Sequence, residues 1–248
     1  MNIGYLLLFE NMNKNGNLVN GYWLLNTSRK HVYLGFIIGK SSFISGLLIE
    51  HEYHFENEIK KILYFFREED ETIRSLREHF DGVAGIDVKF AKKIPENLSA
   101  LIIKNGTILV FDDFESYFSS KINSELLYSI ASVWTSHLLL HTFFCVQSFN
   151  VLKKQSKAHP SFQNSTHVCF FKNNTEARAL KRYMSNFSIP LKNGLSVWET
   201  YQKYVQKKPF AYLLLCISPR FARQTAYSNI LHASKGHMMS FHDSSDSE

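Results

Sequence analysis

Apolar residues fall into short runs rich in β-branched and aromatic side chains, separated by longer stretches of helical periodicity. The runs His31–Ile38 (HVYLGFII), Ile59–Phe66 (IKKILYFF), Thr107–Phe111 (TILVF), His141–Gln147 (HTFFCVQ), His167–Phe171 (HVCFF) and Phe210–Ile217 (FAYLLLCI) predict strands, and Ile86–Phe90 an edge or neighbouring one. Thr107–Phe111 is almost wholly apolar, as a strand covered on both faces requires, and Asn105–Gly106 marks the turn into it. Helices are predicted from Gly39-Lys40-Ser41 to about His51, over Glu71–Phe80 with Asp70 as N-cap, over Lys121–Leu138, and over Thr175–Asn186 with Asn174 as cap. A further helix starts at Ser196, where Ser196 and Glu199 have capping-box spacing, and runs to about Gln206. Strands alternating with helices predict an α/β fold, a mostly parallel sheet with helices on both faces. The main domain is expected over 31–232. Before it, in residues 1–30, the runs Tyr5–Phe9 and Tyr22–Leu25 flank an Asn/Gly-rich turn and predict a small hairpin. Residues 233–248, which end in the run HDSSDSE, read as a disordered polar tail.

At 248 residues, with 45% hydrophobic and 15% aromatic side chains, the chain has material for one large core, which excludes global disorder. No apolar run reaches the ~18 residues that span a bilayer, and Met1–Phe9 lacks the basic start of a signal peptide, so an intracellular protein with no membrane contact is expected. Cys145, Cys169 and Cys216 lie far apart within apolar stretches and read as reduced core residues. The net charge of +6 fits contact with a polyanion such as DNA.

In parallel sheets the ligand lies beyond the carboxyl ends of the strands, which singles out Gly39-Lys40-Ser41, Asp112-Asp113 and Gln147. A phosphate-binding P-loop reads G-x-x-x-x-G-K-S/T, because backbone N–H groups wrap the phosphates, the lysine reaches their outer oxygens and the hydroxyl ligates Mg²⁺. From Gly35 to Ser41 this sequence has only three residues between the glycines, and Phe36-Ile37-Ile38 replaces the usual small polar residues. Gly39-Lys40-Ser41 before a helix still supplies an anion site; otherwise it is an ordinary turn. Asp112 and Asp113 fit an acidic metal-binding strand, or two solvated turn residues. Gln147 fits a γ-phosphate sensor, or simply ends its strand. Arg178, Lys181 and Arg182 offer an arginine acting in trans, or a solvated helix face. Lys153, Lys154 and Lys157 fit contacts to a nucleic-acid backbone, or loop charges.

In this order the segments resemble the FtsK/HerA-type genome-packaging ATPases of large DNA viruses, RecA-like P-loop NTPases, in particular those of Maverick/Polinton elements. The resemblance covers roughly His31–Ser218. It rests on Thr107–Phe114 (TILVFDDF), Ser136–Asn150 (SHLLLHTFFCVQSFN), Phe170–Asn173 (FFKN) and Pro209–Leu214 (PFAYLL). It implies a homo-oligomeric ring that hydrolyses ATP to push double-stranded DNA into a capsid, working with capsid proteins in the nucleus, a viral factory or the virion. On that basis Gly35, Gly39, Lys40 and Ser41 bind ATP, Ser41 and Asp112 hold Mg²⁺, Asp113 activates water, and Gln147 is the sensor. A trans arginine is implied, with Arg178 and Arg182 the candidates by position. The glycine-poor, degenerate loop at 35–41 departs from the family and implies the alternative of a catalytically impaired P-loop domain serving as a DNA-binding or assembly subunit.

Overall fold

The computed structural model of the chain describes residues 9–12, 18–21, 31–36, 40–55, 57–146, 167–171, 177–185, 195–206, 212–216, 230–234 and 237–241. Its strands are β1 (Phe9–Met12), β2 (Leu18–Gly21), β3 (His31–Phe36), β4 (Lys61–Phe66), β5 (Asp87–Ala91), β6 (Thr107–Asp112), β7 (His141–Val146), β8 (His167–Phe171), β9 (Tyr212–Cys216), β10 (Ile230–Ser234) and β11 (His237–Phe241). Nine of them form one sheet in the order β11-β10-β9-β8-β3-β7-β6-β4-β5. Strands β3 to β8 run parallel to one another, while β9, β10 and β11 add on in antiparallel fashion.

Alternation along the parallel strands divides their side chains between two cores. Leu63, Phe65, Leu109, Phe111, Phe144 and Phe170 enter one, and Ile62, Tyr64, Phe66, Val110, Phe143 and Cys145 the other. The second core is closed by α1 (Lys40–Ile49) and α3 (Glu71–Phe80), through Ile44, Leu48, Ile73 and Leu76; the short α2 (His51–His54) follows α1. The first is closed by α4 (Lys121–Tyr128) and its continuation, α6 (Ala177–Met184) and α7 (Val197–Tyr204), through Leu127, Ile130, Leu180 and Tyr201. Helices therefore cover both faces, as the continuous apolar runs require.

Local signals placed the helix starts well. Asp70 Oδ1 accepts the Ile73 N–H at 2.9 Å and opens α3, a bond of a kind that contributes about 1 kcal/mol. The Asn105–Gly106 turn is present too: Asn105 is left-handed at φ 59°, and Thr107 Oγ1 ties it down through both the N–H and the C=O of Ile103, at 2.8 and 2.9 Å.

At α7 the Ser196 N–H and hydroxyl donate to Glu199 Oε2 at 2.8 and 2.7 Å, and Ser196 Oγ accepts from the Glu199 N–H at 3.2 Å. These bonds, the backbone one first, hold the Glu199 carboxyl below its usual pKa. A lowered folded-state pKa contributes stability that is present above the ordinary glutamate value and lost as pH falls through the folded-state value. Thermal unfolding followed into acid should therefore be shallower for Glu199→Gln; an unchanged acid limb would show that the box contributes nothing.

Elsewhere the chain departs from expectation. The helix expected over Lys121–Leu138 widens into a π-helix at Ser129–Trp134 before the last turn, α5 (Thr135–His137). Both the N–H and the Oγ1 of Thr135 donate to the Ile130 carbonyl five residues back, the hydroxyl at 2.7 Å, and Oγ1 also lies 3.1 Å from Thr142 Oγ1 of β7. The stretch SIASVW has neither Gly nor Pro to announce this. A hairpin forms near the amino terminus, but its described strands share only Phe9 with the two expected runs, with Phe9 opposite Gly21. The expected strand Phe210–Ile217 is present as β9, and residues from 233 onward were expected to be disordered. Instead β10 pairs with β9 and β11 with β10. A free strand edge presents N–H and C=O groups to any extended segment whatever its side chains, so composition was a poor guide there. Residues 242–248, and the expected Asn174 cap, lie outside the described residues.

Candidate functional site

Because Phe111 enters one core, Asp112, the last residue of β6, faces the other, on the same side as Tyr64 and α1. Asp112 is only 5% exposed. Its Oδ2 accepts two hydroxyls, Tyr64 OH at 2.8 Å from β4 and Ser41 Oγ at 3.0 Å from the first turn of α1. Strand β3, which leads to α1, is separated from β6 by β7 alone, a distance of about 10 Å at strand spacing. The start of α1 therefore crosses β7 to bring Ser41 to Asp112. Lys40, the first residue of α1, precedes Ser41 at this helix start.

Ionising a buried carboxylate costs free energy unless donors surround it. Tyr64 meets that need. Its burial, and then the charge of Asp112, push the phenol pKa well above normal, so that it stays a donor. Asp113 follows in a left-handed turn at φ 59°, a conformation aspartate tolerates better than most residues, and its N–H donates to the Cys145 carbonyl at 3.0 Å. It is partly exposed, whereas Asp112 is buried. The two carboxylates thus sit in different environments, one buried beneath two hydroxyls and one partly exposed.

A hydroxyl and a carboxylate 3.0 Å apart form an all-oxygen donor pair. That set fits Mg²⁺, which takes one or two protein oxygens and fills its octahedron with phosphate and water. Among the described residues no cluster of three or more His, Cys, Asp or Glu forms a metal cage.

Gly35 was expected to belong to the phosphate loop, but it lies inside β3. It is in register with Cys145 on one side and Cys169 on the other. The connection from β3 to α1 is thereby reduced to residues 37–39. Gly39, Gln147 and the lysines at 153, 154 and 157 lie outside the described residues. Arg178 and Arg182 are exposed on α6, whose Leu180 and Met184 enter the core opposite α1. The structure does not bring them to Ser41 and Asp112. Cys145 and Cys169 are buried core thiols, as expected, and burial raises the Cys169 pKa.

Tyr64 is the site residue that sequence reasoning missed. Its signal was faint: a single phenol in the run KILYFF, on the same alternation as Phe66, which is in register with Asp112. Arg67, just beyond β4, was missed as well; it donates to Ser116 Oγ at 2.8 Å and ties together the loops that follow β4 and β6.

No family model matches the sequence, and no curated protein matches it either. Solved structures do. The DNA-packaging ATPase from Sulfolobus Turreted Icosahedral Virus superposes with a TM-score of 0.54 at 13% identity, over 83% of this chain and 97% of that one. The cytoplasmic domain of the Type VII secretion ATPase EccC from Thermomonospora curvata superposes with a TM-score of 0.50 at 11% identity, over 94% of this chain and 28% of that one. At such identities the likeness is one of architecture: the chain has the α/β fold of a P-loop NTPase, a mostly parallel sheet covered by helices on both faces.

Proposed function

We propose that the chain is an ATP-dependent, DNA-packaging or DNA-translocating motor subunit of the FtsK/HerA type, from a virus or a virus-like transposon of the Maverick/Polinton kind. The observation that carries this reading is the bond from Ser41 Oγ to Asp112 Oδ2. It joins the start of a helix to the acidic end of a strand two positions away in the sheet, where a nucleotide and its metal would be held. The likeness in fold to a viral DNA-packaging ATPase, and the +6 charge, point the same way.

In this mechanism Lys40, Gly39 and the N–H groups at the start of α1 hold the phosphates of ATP, with Gly35 in the last part of β3 beneath them. Ser41 and Asp112 hold Mg²⁺, which when bound offsets the charge that develops on the phosphate oxygens. Asp113, the more exposed carboxylate, takes the proton from attacking water. Gln147 orients that water, and Arg178 or Arg182 reaches the site of a neighbouring subunit in a homo-oligomeric ring around double-stranded DNA, docked on capsid proteins. Action in the nucleus, a viral factory or the virion follows from these partners. Among the described residues no helix is long and apolar enough to cross a membrane.

A second reading is a domain that grips DNA or its neighbours without turning over ATP. The observation that favours it is Gly35 within β3, which shortens an already glycine-poor connection. A shorter loop has fewer N–H groups to offer to phosphate, and a degenerate P-loop of this kind would leave the acidic pair without substrate.

Hydrolysis of Mg·ATP by the purified chain, with and without double-stranded DNA, separates the two. Asp113→Asn is the control, because asparagine also tolerates the left-handed turn and so removes the carboxylate without straining the backbone. DNA-stimulated turnover that falls by about 10²-fold or more in the control supports the motor. Turnover no greater than that of the control, with DNA binding retained, replaces it with the second reading.

A further inference from the structure

We infer that Tyr64 is a positioning residue of the phosphate and metal site: its hydroxyl holds the Asp112 carboxylate in the orientation from which it serves Mg²⁺. The role rests on the motor reading above.

Two hydroxyls share Oδ2 of Asp112, and they differ in freedom. Ser41 lies in the first turn of α1 and is partly exposed, so its χ1 can change rotamer. Tyr64 cannot follow. It is fully buried, its strand is paired on one side with β5 and on the other with β6, and its ring lies against Phe90 with centroids 5.7 Å apart. Core packing, not the carboxylate, sets the place of the phenol. If Ser41 turns its oxygen toward a cation it gives up its bond to Oδ2, and Tyr64 remains to keep the carboxylate from rotating. Asp112 on its own has a broad, roughly two-fold χ2 torsion, so a fixed donor at one oxygen selects one orientation of the group. A hydroxyl bonded to a charged acceptor in a buried site is among the stronger hydrogen bonds, and its loss is felt at the acceptor's other ligands.

A plain structural role for Tyr64 makes a different forecast. The hydroxyl would then only satisfy a buried polar group, and its loss would lower stability without changing metal affinity. Tyr64→Phe keeps the ring and removes the hydroxyl alone. The test uses the full chain with Mn²⁺ as the probe, its uptake followed by electron paramagnetic resonance in the presence of a non-hydrolysable ATP analogue. Analogue binding without metal and thermal unfolding without ligand are measured beside it.

Tyr64→Phe is expected to weaken Mn²⁺ uptake about tenfold, with metal-free analogue binding unchanged, while Asp112→Asn loses uptake altogether. Wild-type Mn²⁺ affinity in Tyr64→Phe beside loss in Asp112→Asn overturns the role of Tyr64 and leaves the motor reading standing. No Mn²⁺ uptake by the wild-type chain overturns both. If Tyr64→Phe does not fold, 3-fluorotyrosine placed at position 64 takes over: its fluorine resonance should move when Mg²⁺ joins the analogue, and a resonance that stays put rejects the role.

Discussion

Phe111→Ala should lower the free energy of unfolding by about 3–5 kcal/mol, a large part of the roughly 5–15 kcal/mol that holds a domain together. Phe111 is 1% exposed and lies between two parallel rings, Phe65 at 5.3 Å and 17° and Phe144 at 5.2 Å and 11°. Phe118 meets it edge-on at 5.4 Å. The three stacked rings come from the adjacent strands β4, β6 and β7, so the substitution opens a cavity at the centre of the sheet and leaves two faces without a partner. Urea unfolding measures this as a lower midpoint at an unchanged slope. A loss below about 1 kcal/mol would mean that the surrounding side chains collapse into the space and that the stack is not central to the core.

Asp112→Asn should separate stability from chemistry. Asparagine keeps an oxygen for the Ser41 and Tyr64 hydroxyls but removes a charge from a residue that is 5% exposed. Lost charge-assisted bonds and relieved desolvation oppose one another, and the net change in stability is expected to stay within about 1 kcal/mol of zero. Mg²⁺-dependent binding and turnover of ATP, by contrast, should fall at least about a hundredfold, since the residue touches the metal and is not merely a support for a ligand. Calorimetric unfolding and a Mg²⁺ titration of ATP binding on the same preparation give both numbers. A variant that loses several kcal/mol while keeping its Mg²⁺ dependence would show Asp112 to be a structural carboxylate and remove the basis of the motor reading.

How far the chain could be read depends on whether a feature is local. Asp70 before α3 and Ser196 before α7 were legible because a cap is settled within three residues, and both bonds are present. Asp112-Asp113 stood out because polar residues close an almost wholly apolar strand. Tyr64 did not, because its partner is 48 positions away and nothing in the run of β4 says which neighbour it will face. The π-helix at Ser129–Trp134 escaped for a related reason: the buried Thr135 that bonds across it has its second partner, Thr142, on the next strand.

The amino-acid order settled the α/β class, most of the strands and helix starts, and the acidic strand end that any nucleotide chemistry would need. These depend on periodicity and on bonds made within a few residues. Strand order was settled in three dimensions. Every strand offers the same backbone ladder, so pairing is chosen by how the two side-chain faces fill against the helices, and that cannot be read from any one segment. This choice set β7 between β3 and β6 and β4 beyond β6. It thereby put a serine at position 41 and a tyrosine at position 64 onto one oxygen of Asp112.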